Sequence, residues 1–258
     1  PRMGVAPGRR FFGEVKGALG GPQAPGGPAM SNGVILGKGD PAPGPIPVAA
    51  WAYSAAAAAK YPYDRLSAVK ALEAAGWVLA PGAKVRTKGG VAFKVSLVTA
   101  GSFPNRQVAD AVSRQLMAVG VEADGTPVTS TALVQAFLFG RRYQMGRVGF
   151  DVGPDPDQYS LWHSGADPNA LNFAYPHGWG VIDQDLEVGR GAVNQSARLN
   201  AYIDFQMLIA DAAPAIFLYS PHYDYAVSQR VHGVRLNNVI EPVDRLQYVT
   251  EWYVNTGG

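Results

Sequence analysis

The chain contains no cysteine. Disulfide staples, thiolate metal sites and cysteine nucleophiles are therefore excluded. Charge is sparse at 16% of residues, and 22 Lys plus Arg stand against 20 Asp plus Glu, for a formal net charge of +2. That balance gives no general attraction to nucleic acid or to an anionic membrane. No apolar run approaches the roughly 18 residues a membrane span needs. No N-terminal stretch joins a basic start to the apolar segment of a secretory leader. The first residue is Pro1, as in a processed product or a fragment, so a missing leader says nothing about export.

Signatures of catalysis are missing too. No GxxxxGK[ST] phosphate loop occurs; "GKGDPAPG" has the wrong spacing and no helix after it. Neither a GxSxG nucleophile elbow nor an HExxH zinc helix is present. The histidines, His163, His177, His222 and His232, stand far apart without paired ligand spacing. No metal and no cofactor is expected.

What remains is apolar enough to fold: 47% of the 258 residues are hydrophobic, so a sizeable core is expected. Residues 1–30 hold eight Gly and five Pro and read as irregular, with at most a short helix around Phe11 to Leu19. Residues 32–63 form a Pro-rich connection. Within it "DPAPGPIPVAAWAY" is extended, and "SAAAAAKYPYD" carries one helical turn ended by Pro62.

Regular structure is expected from residue 64. "YDRLSAVKALEAAGW" reads as a helix capped by Asp64, striped by Leu66, Val69 and Leu72 and stopped at Gly76. "VAFKVSLVT" reads as a strand with Val91, Phe93, Val95 and Leu97 on one face. "SFPNRQVADAVSRQLMAVG" places Val108, Val112, Leu116 and Val119 on one helical face and closes at Gly120. "VEADGTPVT" is a short strand, "STALVQAFLFG" a helix opened by Ser130 or Thr131, and "YQMGRVGF" another strand. Strand, helix, strand, helix, strand argues for an α/β layer. Further on, "ARLNAYIDFQMLIADAAP" is a long helix whose apolar members are Leu199, Ile203, Phe205, Leu208 and Ile209, with Pro214 as its stop. "AIFLYS" reads as a buried strand, "YDYAVSQRVHGV" as a second strand, and "DRLQYVTEWYV" as a docked end segment.

The stretch "GFDVGPDPDQYSLWHSG" follows a strand, and ligands of open α/β sheets bind outside the carboxyl ends of strands. Asp151, Asp155 and Asp157 there are candidate ligand contacts, an acid/base pair or plain turn residues. Aromatics are dense around them: Tyr143, Phe150, Tyr159, Trp162, Phe173, Tyr175 and Trp179. Core packing or a ligand platform explains such residues.

Five segments in order carry a resemblance: "NGVILGKGDPAPGPIPVAAWAY", "YPYDRLSAVKALEAAGW", "YQMGRVGFDVGPDPDQYSLWHSG", "LNFAYP" and "ARLNAYIDFQMLIADAAPAIFLYSPHYDYAVSQRVHGV". From about Asn32 to the C-terminus the chain resembles the extracellular solute-binding proteins of family 5, the oligopeptide and dipeptide receptors of bacterial ABC importers. The resemblance implies the second lobe of a type II periplasmic-binding-protein fold. That lobe spans 64–219, and 220–258 return toward the first lobe. Family members are considerably longer, and most of the first lobe has no counterpart here. Residues 1–31 do not resemble the family helix expected there, as after a mispredicted start or a reading-frame error in a GC-rich gene.

Function follows as expectation. The resemblance implies a binding protein that captures a peptide or similar small solute between two lobes and delivers it to a membrane permease. Peptides, nickel chelates, oligosaccharides and opines are ligands within such a family. The expected partners are that solute and the permease, with no nucleic acid; the protein is expected to be a monomer, in the periplasm or at the cell surface. The expected ligand contacts are Phe150, Asp151, Asp155, Tyr159 and Trp162. In some peptide receptors of the family an Asp three residues after the strand-end aromatic pairs with the peptide amino terminus. Here Phe150 is the aromatic and Gly153 holds that place, flanked by Asp151 and Asp155. The alternatives are a hydrolase using Asp151 and Asp155, or a truncated fragment without function.

Overall fold

The structure, a computed structural model, describes residues 36–59, 64–140, 142–166, 180–212, 214–236, 239 and 242–255. The segment around Phe11 to Leu19, Pro62 and the aromatics Phe173, Tyr175 and Trp179 lie outside them.

Asp64 opens helix α2 (Arg65–Ala74), after the short α1 (Ala55–Ala59); its carboxylate accepts from the N–H groups of Leu66 and Ser67. This satisfies donors that a helix start leaves free. Gly76 follows the helix at φ +87, the left-handed geometry of a C-terminal stop. Leu72 and Ala68 are buried, but Leu66 is 73% exposed and is not part of the stripe the spacing predicts.

A hairpin of β2 (Thr87–Lys88) and β3 (Val91–Ala92) leads into β4 (Lys94–Ala100). Phe93, Val95 and Leu97 are buried as expected, whereas Val91 sits in the hairpin and is exposed. β4 is the middle strand of a parallel sheet, between β5 (Glu122–Val128) and β6 (Met145–Arg147). Both of its faces are covered, which explains why Val98, Thr99 and Ala100 are buried too. Helix α3 (Phe103–Met117) covers one face through Ala109, Val112 and Leu116, in one core with Val95 and Leu97, and Val108 is buried as well. Val98 and Ala100 meet Leu133 on the other. Leu133 belongs to a π-helical stretch, Leu133–Phe139, that continues α4 (Ser130–Ala132). The cap of α4 is Thr129, whose hydroxyl accepts from the Ala132 N–H, rather than Ser130 or Thr131.

The chain passes from β4 to β5 on one side, then returns to β6 on the other. Strand order therefore reverses at the carboxyl end of β4, the place where open α/β sheets take ligands.

A second core lies around α5 (Tyr159–Trp162), α6 (Val181–Gly191) and α7 (Gln195–Ala212). α6 has no counterpart in the sequence reading; Gly189 and Gly191 weaken its pattern. Gly189 is nonetheless required, since a Cβ there would lie 2.6 Å from the buried Tyr202 ring. α7 matches the expected long helix, with Phe205 and Ile209 buried.

The reading of "AIFLYS" as a buried strand is corrected. Only β7 (Tyr219–Pro221) pairs, antiparallel to β1 (Gly39–Pro41). Residues 215–218 alternate instead: Ala215 and Phe217 pack on the second core, Ile216 and Leu218 on the first. "YDYAVSQRVHGV" is likewise corrected, because its residues are exposed up to Arg230 and only β8 (Val231–His232) pairs. Its partner β9 (Tyr253–Val254) follows two 3₁₀ turns, Pro242–Leu246 and Val249–Glu251, in the tail.

Candidate functional site at the carboxyl edge of the sheet

β6 ends at Arg147, and residues 148–158 carry the chain from the sheet to α5. Phe150 is 38% exposed and Asp151 is exposed beside it. Among the described residues Asp151 makes no hydrogen bond or ion pair, which suits a group left for something outside the fold.

The other two aspartates are occupied. Both Asp155 oxygens accept from Arg198 Nη2, at 2.6 and 2.7 Å. Asp157 Oδ1 accepts from the Tyr159 N–H at 2.9 Å, capping α5, and its Oδ2 accepts from Arg190 Nε at 2.8 Å. An acid/base pair needs two carboxylates free to face one substrate, and both oxygens of Asp155 are already taken by Arg198. The arrangement thus offers no acid/base pair from Asp151 and Asp155. Among the described residues no three His, Asp or Glu side chains gather to hold a metal.

The aromatics divide in the same way. Tyr159 is half-buried, stacked on the His163 ring at 4.0 Å with the Arg190 guanidinium 4.3 Å over its other side. His163 Nδ1 accepts from the Gly165 N–H, and Nε2 lies 3.2 Å from Glu187 Oε1. Trp162 is 1% exposed inside the second core. The structure thus leaves Phe150, Asp151 and Asp155 at the surface, keeps Tyr159 half-buried and packs Trp162 into the second core.

Sequence reasoning passed over Arg147. Its Nη1 donates to Asn105 Oδ1 in the first turn of α3, and its Nη2 donates to Tyr219 Oη at 2.9 Å. No carboxylate among the described residues pairs with it. A guanidinium whose partners are neutral is left with its charge uncompensated by them. The available signal was a lone cation three residues before the strand-end aromatic. A groove of about 360 Å³ lies on the β5 side of the sheet, between Thr99, Gly125 and Pro127 of the strands and Phe103, Arg106 and Asp110 of α3; Arg147 is not among its lining residues.

Behind the loop, Asp185 on α6 has one carboxylate oxygen buried without a hydrogen bond. Burial first, then the negative charge of Asp204 on α7, pushes its carboxyl up from 3.8 to about 6. The folded value lies above the unfolded one, so folding takes up a proton. Its stabilising contribution is full below 3.8 and is lost as pH rises through about 6. Asp185→Asn should therefore stabilise the protein near pH 7 by about 1 kcal/mol after discounting for solvent screening, and not at all near pH 3.5. Urea midpoints at the two pH values measure this; an equal effect at both would contradict it.

Residues 28–172 match the family model described as bacterial extracellular solute-binding proteins, family 5 middle. The oligopeptide-binding protein AppA of Bacillus subtilis (strain 168) is 24% identical over 197 residues, which cover 76% of this chain and 35% of AppA. The solved structure of B. subtilis AppA with a nonapeptide aligns with a TM-score of 0.74 and 21% identity, over 97% of this chain and 48% of AppA. The binding protein MelB of Agrobacterium fabrum C58, solved with stachyose, aligns with a TM-score of 0.70 and 15% identity, over 82% of this chain and 33% of MelB. The chain thus spans at most about half the length of these relatives.

Proposed function

The chain belongs to family 5 of the bacterial extracellular solute-binding proteins, and on that premise we propose that it supplies one wall of a peptide-binding cleft in the receptor of an ABC importer. Its α/β fold is that of type II periplasmic binding proteins, spanning about half of such a chain. The family consists of substrate-binding proteins, and we read this chain as one that captures and does not turn over its ligand. Residues 64–219 are the lobe and 220–258 the return toward the other lobe. The receptor acts as a monomer outside the cytoplasmic membrane, in the periplasm or at the cell surface, and hands the solute to a permease.

One observation carries the choice of a peptide-like anion: among the described residues no carboxylate pairs with Arg147, which stands at the carboxyl edge of the sheet just ahead of the exposed Phe150 and Asp151. A cation with a nearby free carboxylate suits a ligand that bears both charges, as a peptide does. AppA, solved with a nonapeptide, gives the peptide reading further support.

Calorimetric titration of residues 1–258 with a nonapeptide tests the reading. Binding weaker than about 1 μM is expected, because half a cleft forgoes much of the contact area. The peptide should be recovered intact. Arg147→Ala should weaken binding about ten- to a hundredfold, the effect of losing a charge-assisted hydrogen bond. Cleaved peptide, or unchanged affinity in Arg147→Ala, would overturn the proposal.

A further inference from the structure

We propose that Arg198 is a positioning residue, which, together with Arg190, fixes the ligand-facing stretch Phe150–Gly153 by clamping the far end of its loop. The inference rests on the reading of that stretch as ligand-facing. The near end of the loop is anchored by β6, whose Met145 lies in the sheet core. The far end must land on the second core, to which α6 and α7 belong. Arg190 on α6 takes Asp157, and Arg198 on α7 takes Asp155.

The receiving cation is set in advance. Arg198 Nε donates to the Gly189 carbonyl at 2.6 Å, and its guanidinium lies 5.2 Å from the Trp51 ring centre and 5.8 Å from that of Tyr202. Its side chain is only 21% exposed while that of Asp155 is 54% exposed. The bond to Asp155, ahead of the nearby Tyr202 hydroxyl, holds the Arg198 guanidinium above its ordinary range. The loop therefore docks onto a fixed group. Pro154 and Pro156 restrict the backbone beside Asp155. With both ends held, few torsions remain between Phe150 and Gly153, so a ligand meets an ordered edge and binding loses less entropy.

The test uses residues 1–258 with 4-fluorophenylalanine at position 150, followed by fluorine NMR, and calorimetry with a nonapeptide. The variants are Arg198→Met, Asp155→Asn and Asp155→Glu. The wild type should give one sharp fluorine line. Arg198→Met and Asp155→Asn should each broaden or split it and weaken the nonapeptide about two- to fivefold, the range of a partly exposed ion pair. Asp155→Glu keeps the charge and should restore both. If Asp155 met the ligand itself, Asp155→Asn would weaken binding while Arg198→Met would not, and the clamp would be refuted. A line unchanged in both variants would refute it as well. Should Arg198→Met fail to fold, the line in Asp155→Asn decides the question. A wild type that binds no nonapeptide removes the functional reading alone, and the fluorine line still decides the clamp.

Discussion

Replacing Trp162 by alanine should cost about 3–5 kcal/mol of folding stability, the range for removing a fully buried aromatic. The indole is 1% exposed and shares its core with Leu186, Tyr202, Phe205 and Ile209. It lies 6.3 Å from the Phe217 ring, which belongs to the segment after α7. Its removal leaves a cavity that helices cannot close without shifting one another. Urea denaturation of the wild type and of Trp162→Ala measures the loss. Trp162→Phe keeps most of the apolar volume and should lose much less. A ring whose task was to meet ligand would behave otherwise, with affinity reduced and the urea midpoint unmoved.

Arg86→Met should cost about 2–4 kcal/mol, because buried acceptors lose their donors. The Arg86 side chain is 3% exposed. Its Nε donates to the Val119 carbonyl at 2.8 Å and its Nη1 to the Trp77 carbonyl at 2.9 Å. Its own N–H donates to the Gly120 carbonyl at 2.8 Å. One side chain thus ties the turn after α2, the hairpin and the turn after α3. Gly120 is required at that crossing: it has φ +83, and a Cβ would approach Arg86 Cγ to 2.8 Å. Glu73 is 3.4 Å away and exposed, so Glu73→Gln should cost less than about 1 kcal/mol. Comparable losses for Glu73→Gln and Arg86→Met would show that the ion pair, and not the carbonyl bonds, is the source of stability.

The elements that read correctly are those whose signals are local. Asp64 caps its helix through the next residues in sequence. The stripe of α3 and its stop at Gly120 lie within one continuous pattern. The same holds for β4, though its burial on both faces needed the sheet to be seen. The cap of α4 was missed by one residue and α6 was hidden by its own glycines, but the larger failures depend on partners remote in sequence. "AIFLYS" has the composition of a strand, yet strand status requires a neighbour, and β1 pairs only with Tyr219–Pro221. At the site, Asp155 and Asp157 are answered by arginines 43 and 33 residues away. Turn chemistry, which Asp157 does perform for α5, was legible; the ion pairs were not. Trp162 and Phe150 look alike as loop aromatics, and only packing separates a core indole from an exposed ring.

The four residues from Ala215 to Leu218 give the protein a shared melting behaviour. Consecutive side chains are committed to opposite cores, two to each. Withdrawing this segment from either core drags it out of the other, since neighbouring residues in an extended chain cannot move independently. Such a segment couples the stability of the two bodies, and local opening has no boundary at which to stop. Heat that loosens the helices around Phe205 should therefore also loosen the sheet under Leu97, and calorimetry should show both lost in a single transition.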